Sequence, residues 1–170
     1  AWLGYPRTGA TGAIVQQLVR AAGGVAVLWD PLGDDALLAA CKAVFGLSQV
    51  PTFVLDDAHT VLSFGADFVS DVALAHGWAN SRDPDHGGFV SRTVCVQPDL
   101  GRSSAMSDVL LKPIPGTEAA VAMALAKLVA DRKHYRGPAS ALLAAVDPAA
   151  AATAAGLDIA RLNEVASWLE

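Results

Sequence analysis

Cysteine is scarce in this chain: Cys41 and Cys95 are the only two thiols in 170 residues. They lie far apart, each inside an apolar segment, so the CxxC spacing of a zinc or iron–sulfur site is missing and both read as core thiols. Charge is scarce too, and mostly of one sign. Lys and Arg number 12 against 17 Asp and Glu, for a net charge of -5 and a pI near 5.2. With no basic stripe there is no footprint for a phosphate backbone, which excludes nucleic acid as an expected partner. Aromatics make up only 6%. Trp2, Trp29, Trp78 and Trp168 are scattered, as packing or interface anchors are. No window reaches the roughly 18 uninterrupted apolar residues of a spanning helix, so direct membrane insertion is not expected. The chain opens Ala1-Trp2-Leu3, without an initiating Met, a basic n-region or a cleavage site, and is expected to be a fragment of a longer polypeptide.

What is abundant is apolar surface. Hydrophobic residues make up 53% and the mean hydropathy is +0.38. At 170 residues the chain has one domain's length and is able to bury a substantial core. The excess over what an independent domain requires points to burial against other protein.

The pattern alternates between short apolar runs and helical periodicity. Ala1 to Gly4 reads as the end of a strand. Thr11 to Ala22 reads as a helix capped by Thr11 and ended by Gly23-Gly24. Val25 to Trp29 is a buried strand, Asp30-Pro31-Leu32-Gly33 a turn, and Asp34 to Phe45 a helix. Thr52 to Leu55 is expected to be a short edge strand behind Pro51, and Thr60 to Phe64 a central one. Phe68 to Trp78 reads as a helix and Asn80 to Gly88 as a polar loop. Arg92 to Val96 and Val109 to Ile114 are further strands. Pro115-Gly116 leads into a long helix from Thr117, its N-cap, to Lys133. The tail after Pro138 is helical, with breaks near Asp147-Pro148 and Gly156.

The fold class expected from this alternation is α/β: a Rossmann-like parallel sheet with helices on both faces, over residues 1–137, and a helical extension of the same domain over 138–170.

Two stretches carry candidate chemistry. Thr8-Gly9-Ala10-Thr11-Gly12-Ala13 reads like a glycine-rich dinucleotide turn, and Asp30 follows Gly9 by 21 positions, near the roughly 20 at which a ribose-binding acid is found. Against that reading, Val15 stands where a third glycine would allow close packing, and Tyr5-Pro6-Arg7 interrupts the strand that should enter the turn. Tyr135 has Ala139, not lysine, four positions on. The second stretch is a set of strand-end loops: Gly65-Ala66-Asp67, Gln97-Pro98-Asp99 and Pro115-Gly116-Thr117-Glu118.

These loops resemble those of the molybdopterin oxidoreductase superfamily, where a G-x-N-P-like loop, a D-P-R loop and a P-G-T-D turn bind a molybdopterin guanine dinucleotide. Val61 to Phe68, reading V-L-S-F-G-A-D-F, is most similar to the molybdopterin-like domain of the large iron–sulfur subunit of bacterial alternative complex III. The likeness runs from about Gly23 to Glu170. It implies a domain that has lost its molybdenum cofactor and is peripheral to the bacterial inner membrane on the periplasmic side. Its partners would be other subunits of a quinol-oxidising electron-transfer complex, with iron–sulfur clusters only in a separate ferredoxin-like domain. The cofactor-binding positions that carry over are Gly65, Asp67, Gln97 and Glu118, expected to be vestigial.

The departures from the pattern agree with a lost ligand. An acid hydrogen-bonding a guanosine contributes about 1.5–3 kcal/mol, and Gln97 replaces one. Asp99 stands in place of a phosphate-stabilising arginine and would repel a pyrophosphate, with Arg102 nearby as partial compensation. Two alternatives stay open. One is a molybdopterin guanine dinucleotide-binding domain of an active molybdenum oxidoreductase, lined by the same four residues. The other is an NAD(P)-binding reductase using Gly9, Gly12 and Asp30. Asp83, Asp85 and His86 read as a solvated loop, not as metal ligands. No catalytic residue and no metal ligand is assigned.

Overall fold

The structure, a computed structural model, describes residues 1–7, 9–30 and 33–169. Thr8, Pro31, Leu32 and Glu170 lie outside the described residues. So the first residue of the glycine-rich stretch, the middle of the Asp30–Gly33 turn and the far end of the family likeness are not described. The fold is Rossmann-like α/β, with parallel sheets, flanking helices and a helical carboxyl-terminal tail. The chain divides into two compact units, residues 1–52 and 53–170.

In the first unit, strand β1 (Trp2–Gly4) pairs in parallel with β2 (Ala26–Leu28), and helix α1 (Gly9–Ala21) makes the crossover. α1 begins at Gly9, so Thr11 lies inside the first turn and is not its cap. Its far end behaves as the sequence reads. Gly23 adopts a φ of 63°, and the Gly23 and Gly24 amides donate to Arg20 and Val19 carbonyls, closing a Schellman motif. Helix α2 (Asp35–Phe45) ends at Gly46, which is also left-handed. Among the described residues of this unit, Val19 and Cys41 are the only buried side chains.

The second unit holds a three-stranded parallel sheet. Its strands are β3 (Thr60–Phe64), β4 (Arg92–Val96) and β5 (Val109–Leu111), in the order β3-β4-β5. Thr60–Phe64 is therefore an edge strand, not the central one expected, and β4 lies at the centre. Burial follows: Val94, Cys95 and Val96 are wholly inaccessible, as a strand covered on both faces requires. Thr52 to Leu55 is not a strand. The β5 strand stops at Leu111 because Pro113 and Pro115 supply no ladder donor.

Between β3 and β4, a single 3-10 turn (Phe68–Ser70) precedes α3 (Val72–Ser81), so Phe68 to Trp78 is not one helix. Asp71 breaks it by accepting from the Ala73 and Leu74 amides as an N-cap. The expected polar loop contains α4 (Pro84–Gly87), nucleated by Asp83 accepting from Asp85 N and by Pro84 at its start. The remaining helices are α5 (Arg102–Ala105), α6 (Glu118–Arg132), α7 (Ser140–Ala144), α8 (Pro148–Ala154) and α9 (Ile159–Trp168). The breaks at Asp147-Pro148 and Gly156 fall where the sequence places them, with Asp147 and Asp158 capping α8 and α9.

Strand alternation separates two cores. Val94, Val96, Val109 and Leu111 pack with Val121, Leu125, Leu162 and Val165 of the helical layer. On the opposite face Cys95, Val61 and Leu110 meet Phe68 and Trp78. Burial raises the Cys95 thiol above its ordinary range, with a hydrogen bond from Ser107 opposing. The amino end of the sheet is tied by charge. Arg82 donates two bonds to Asp108, at 2.6 and 2.9 Å, and a third to the Ser91 carbonyl, while Asp108 accepts from Thr93 N. Trp78 Nε1 donates to Thr93 Oγ1, and the Arg82 guanidinium lies 5.4 Å from the Trp78 ring. No described helix is long and apolar enough to cross a membrane.

Candidate functional site

In a parallel sheet, ligands collect at the carboxyl ends of the strands. The register aligns Phe64, Val96 and Leu111 at that edge, so Gly65, Gln97 and Lys112 open three neighbouring loops. The sequence had placed its candidates on these loops.

Gly65 turns the chain out of β3 with a φ of 69°, a conformation that costs a side-chain-bearing residue about 1–2 kcal/mol. Asp67 then reaches across to α5. Its carboxylate accepts from Ser70 Oγ, from Ser103 Oγ at 2.9 Å and from Arg102 Nη2 at 2.9 Å. The hydrogen bond from Ser70, then that from Ser103, holds its pKa below the usual carboxylate range, and Arg102 adds to the effect. Ser103 Oγ also accepts from the Val69 amide at 3.1 Å, which stitches the 3-10 turn to α5.

Gln97 is buried, and its Nε2 donates to Ser104 Oγ at 3.1 Å and to the Asp99 carbonyl at 3.2 Å. Ser104 Oγ in turn accepts from the Gly101 amide, satisfying a free donor at the start of α5. Asp67 and Gln97 are thus brought together through the Arg102-Ser103-Ser104 segment. Glu118 is not part of that cluster. Its Oε2 accepts from the Gly116 amide at 2.9 Å, within its own turn. Thr117 stands at the N-cap position of α6 but makes no capping bond, because its hydroxyl donates to the Ile114 carbonyl.

Sequence reading passed over the serine pair. Its signal was a pair of short hydroxyl side chains directly after Gly101 and Arg102, at a helix start where such groups hydrogen-bond backbone and loop acids. The Arg82–Asp108 tie was also missed, since its members are separated by 26 positions.

The glycine-rich stretch sits between two parallel strands, as the dinucleotide reading requires. β1 ends at Gly4, so Tyr5-Pro6-Arg7 does form loop. Gly9 has a φ of 66°, and a Cβ on Gly12 would lie 2.1 Å from the Arg7 carbonyl oxygen. Val15 lines the narrow space beneath this turn with Trp2, Gly12 and Ala26. Asp30 follows β2 directly. Among the described residues no three His, Cys, Asp or Glu side chains converge as a metal site.

Compared with models of known protein families and with curated proteins, the chain matches none.

Proposed function

We propose that this chain is a non-catalytic structural domain of a membrane-peripheral electron-transfer complex. In this reading it is a molybdopterin-oxidoreductase-like scaffold whose nucleotide loops persist without their ligand. The observation that carries the reading is the Asp67 cluster. A carboxylate that served a guanosine would present its oxygens outward, whereas both oxygens of Asp67 accept from Ser70, Ser103 and Arg102 of its own chain. The Gln97 amide nitrogen donates to Ser104 and Asp99, and the Glu118 carboxylate accepts from the Gly116 amide. Arg102, which the sequence offers as partial compensation for a phosphate-stabilising arginine, is paired with Asp67. With Asp99 on the adjoining loop, the residues present do not fit a molybdopterin guanine dinucleotide.

The alternative complex III-like assembly, the periplasmic side of the membrane and quinol oxidation by neighbouring subunits belong to this proposal through the resemblance of Val61 to Phe68 and the following loops. The test is metal analysis with pterin extraction on the protein purified in its native assembly. Neither molybdenum nor a fluorescent pterin is expected in stoichiometric amount. Recovery of either would replace the structural reading with that of an active molybdenum oxidoreductase.

A second reading has a specific observation in its favour. The parallel β1–α1–β2 crossover with left-handed Gly9 and closely approached Gly12 is the backbone a dinucleotide-binding reductase uses. Saturable NAD(P)H binding that disappears in Gly12→Val would support it. Absence of binding retires it.

A further inference from the structure

Strand β2 presents an open edge. Trp2 N donates to the Val25 carbonyl and Trp29 N to the Gly4 carbonyl, so the backbone groups of Val25 and Trp29 are turned toward β1. The side to which a strand residue points its N–H and C=O alternates along the chain. Val27 therefore serves β1 as well, and the groups of Ala26 and Leu28 point outward. The sheet ends there, and among the described residues nothing bonds to them. Val25, Val27, Leu28 and Trp29 are between 47% and 66% exposed. Neither lysine nor proline stands between Val25 and Trp29 to blunt such an edge.

On the α1 side of this edge is an open space of about 340 Å³, lined by Gln16 and Arg20 of α1 and by Gly24, Ala26 and Leu28. Arg20 has no ion-pair partner among the described residues.

We propose that the edge pairs antiparallel with the β2 edge of a second copy of this chain, about a twofold axis at Val27. In that register Ala26 faces Leu28 of the second copy and the two exchange both backbone bonds. Symmetry repeats the exchange, so every outward group of β2 is satisfied. Val27 lies against its own mate, and Val25 against Trp29 of the second copy. These are non-hydrogen-bonded positions, where side chains approach most closely, and an aromatic ring opposite a β-branched residue is a favourable cross-strand pair. Gly24 falls opposite Asp30 of the second copy. Alternation puts that acid on the face of Ala26 and Leu28, in the space that holds Arg20. A carboxylate accepts from several donors at once, so the pairing holds whatever Asp30 bonds within its own turn.

The helices fit as well. α1 covers the β1–β2 pair on this face, since Gly12, Val15 and Gln16 line one space with Trp2 and Ala26. Strands about 4.8 Å apart then set the two copies of α1 about 10 Å apart, close to the spacing of packed helices, with the Gln16 and Arg20 rows filling the space between them. An extended peptide from another protein could use the backbone edge, but only a second copy brings Trp29 and Asp30 at the spacing that meets Val25 and Arg20. The proposal is independent of the function argued above.

The test is sedimentation velocity of the full chain from about 1 to 100 μM, the range in which small interfaces populate. A reversible shift from the 17.5 kDa monomer to a species of twice that mass is expected. V27K and V27E should each abolish the dimer with the circular dichroism unchanged, and an equimolar mixture of the two should restore it, because opposite charges then face each other across the axis. V27C should give a disulfide-linked dimer under mild oxidation, whereas V25C, facing Trp29, should not; Cys41 and Cys95 are buried and do not compete. A monomer at every concentration would overturn the proposal and leave the edge to a different chain. A dimer that survives both charge variants, a mixture that stays monomeric, or V25C cross-linking as well as V27C would overturn it too.

Discussion

Residues 1–52 and residues 53–170 are built from the same kind of parts, parallel strands joined by helices, yet they differ in how much they bury. The second unit closes two cores, one on each face of its sheet. Among its described residues the first buries only the side chains of Val19 and Cys41, and leaves Leu3, Ile14, Leu18, Val27, Val44 and Phe45 exposed. A pair of three-residue strands with two helices is too small to hide the surface that a parallel sheet must cover on both faces. The apolar excess of the composition is thus unevenly spread. Most of what is left over belongs to the first unit.

The largest effect should come from dissecting the chain. Residues 53–170 expressed alone are expected to melt cooperatively with strong helical circular dichroism, whereas residues 1–52 alone should show no cooperative transition. A cooperative melt of the short piece would erase the distinction.

Single truncations should follow the same division. Leu162→Ala, at a wholly buried position, is expected to cost about 2–5 kcal/mol in denaturant unfolding. Ile14→Ala, at a residue 63% exposed, should stay within about 0.5 kcal/mol. Similar values for the two would mean that the surface of α1 is covered in solution.

A smaller effect is expected at the amino end of the sheet. The hydrogen bond from Arg82 holds the Asp108 carboxyl below the usual carboxylate range, with the Thr93 amide and the Arg82 charge adding to it. A folded-state pKa that is depressed contributes stability above the unfolded pKa, and that contribution is lost as pH falls through the folded value. Stability should therefore drop below about pH 4, and Asp108→Asn should flatten that acid limb in pH-dependent denaturation. The same variant should cost on the order of 1–2 kcal/mol at neutral pH, allowing for partial exposure of the pair.

The smallest change is expected for Asp67→Ala at the opposite edge. Losing the anchor of Ser103 should speed hydrogen exchange at the Val69 amide, which donates to that hydroxyl, with the global melt little altered. Slow exchange retained at Val69 would show that the carboxylate does not hold the loops together.

Much of the fold was legible because it rests on local chemistry. The bounds of β3 and β4 follow the apolar runs residue for residue. Gly23, Gly46 and Gly156 mark helix ends because the left-handed backbone there favours glycine. Asp147-Pro148 is read as a break because a capping acid before proline starts a new helix. The departures have local causes as well. Asp71 and Asp83 are caps, and a cap turned one expected helix into two pieces and put a helix inside an expected loop. The candidate site was half legible: the strand-end loops were found, but not the serines that occupy their acid.

The sequence alone determined that strands and helices alternate, where the turns fall and that the chain carries more apolar surface than charge, since each depends on neighbouring residues. Tertiary structure decided that β4, not β3, lies at the centre, and that the Asp67 carboxylate is consumed by Ser103 and Arg102, more than thirty positions away. Strand order and the partner of a carboxylate are set by contacts between distant segments, which no local pattern of residues specifies.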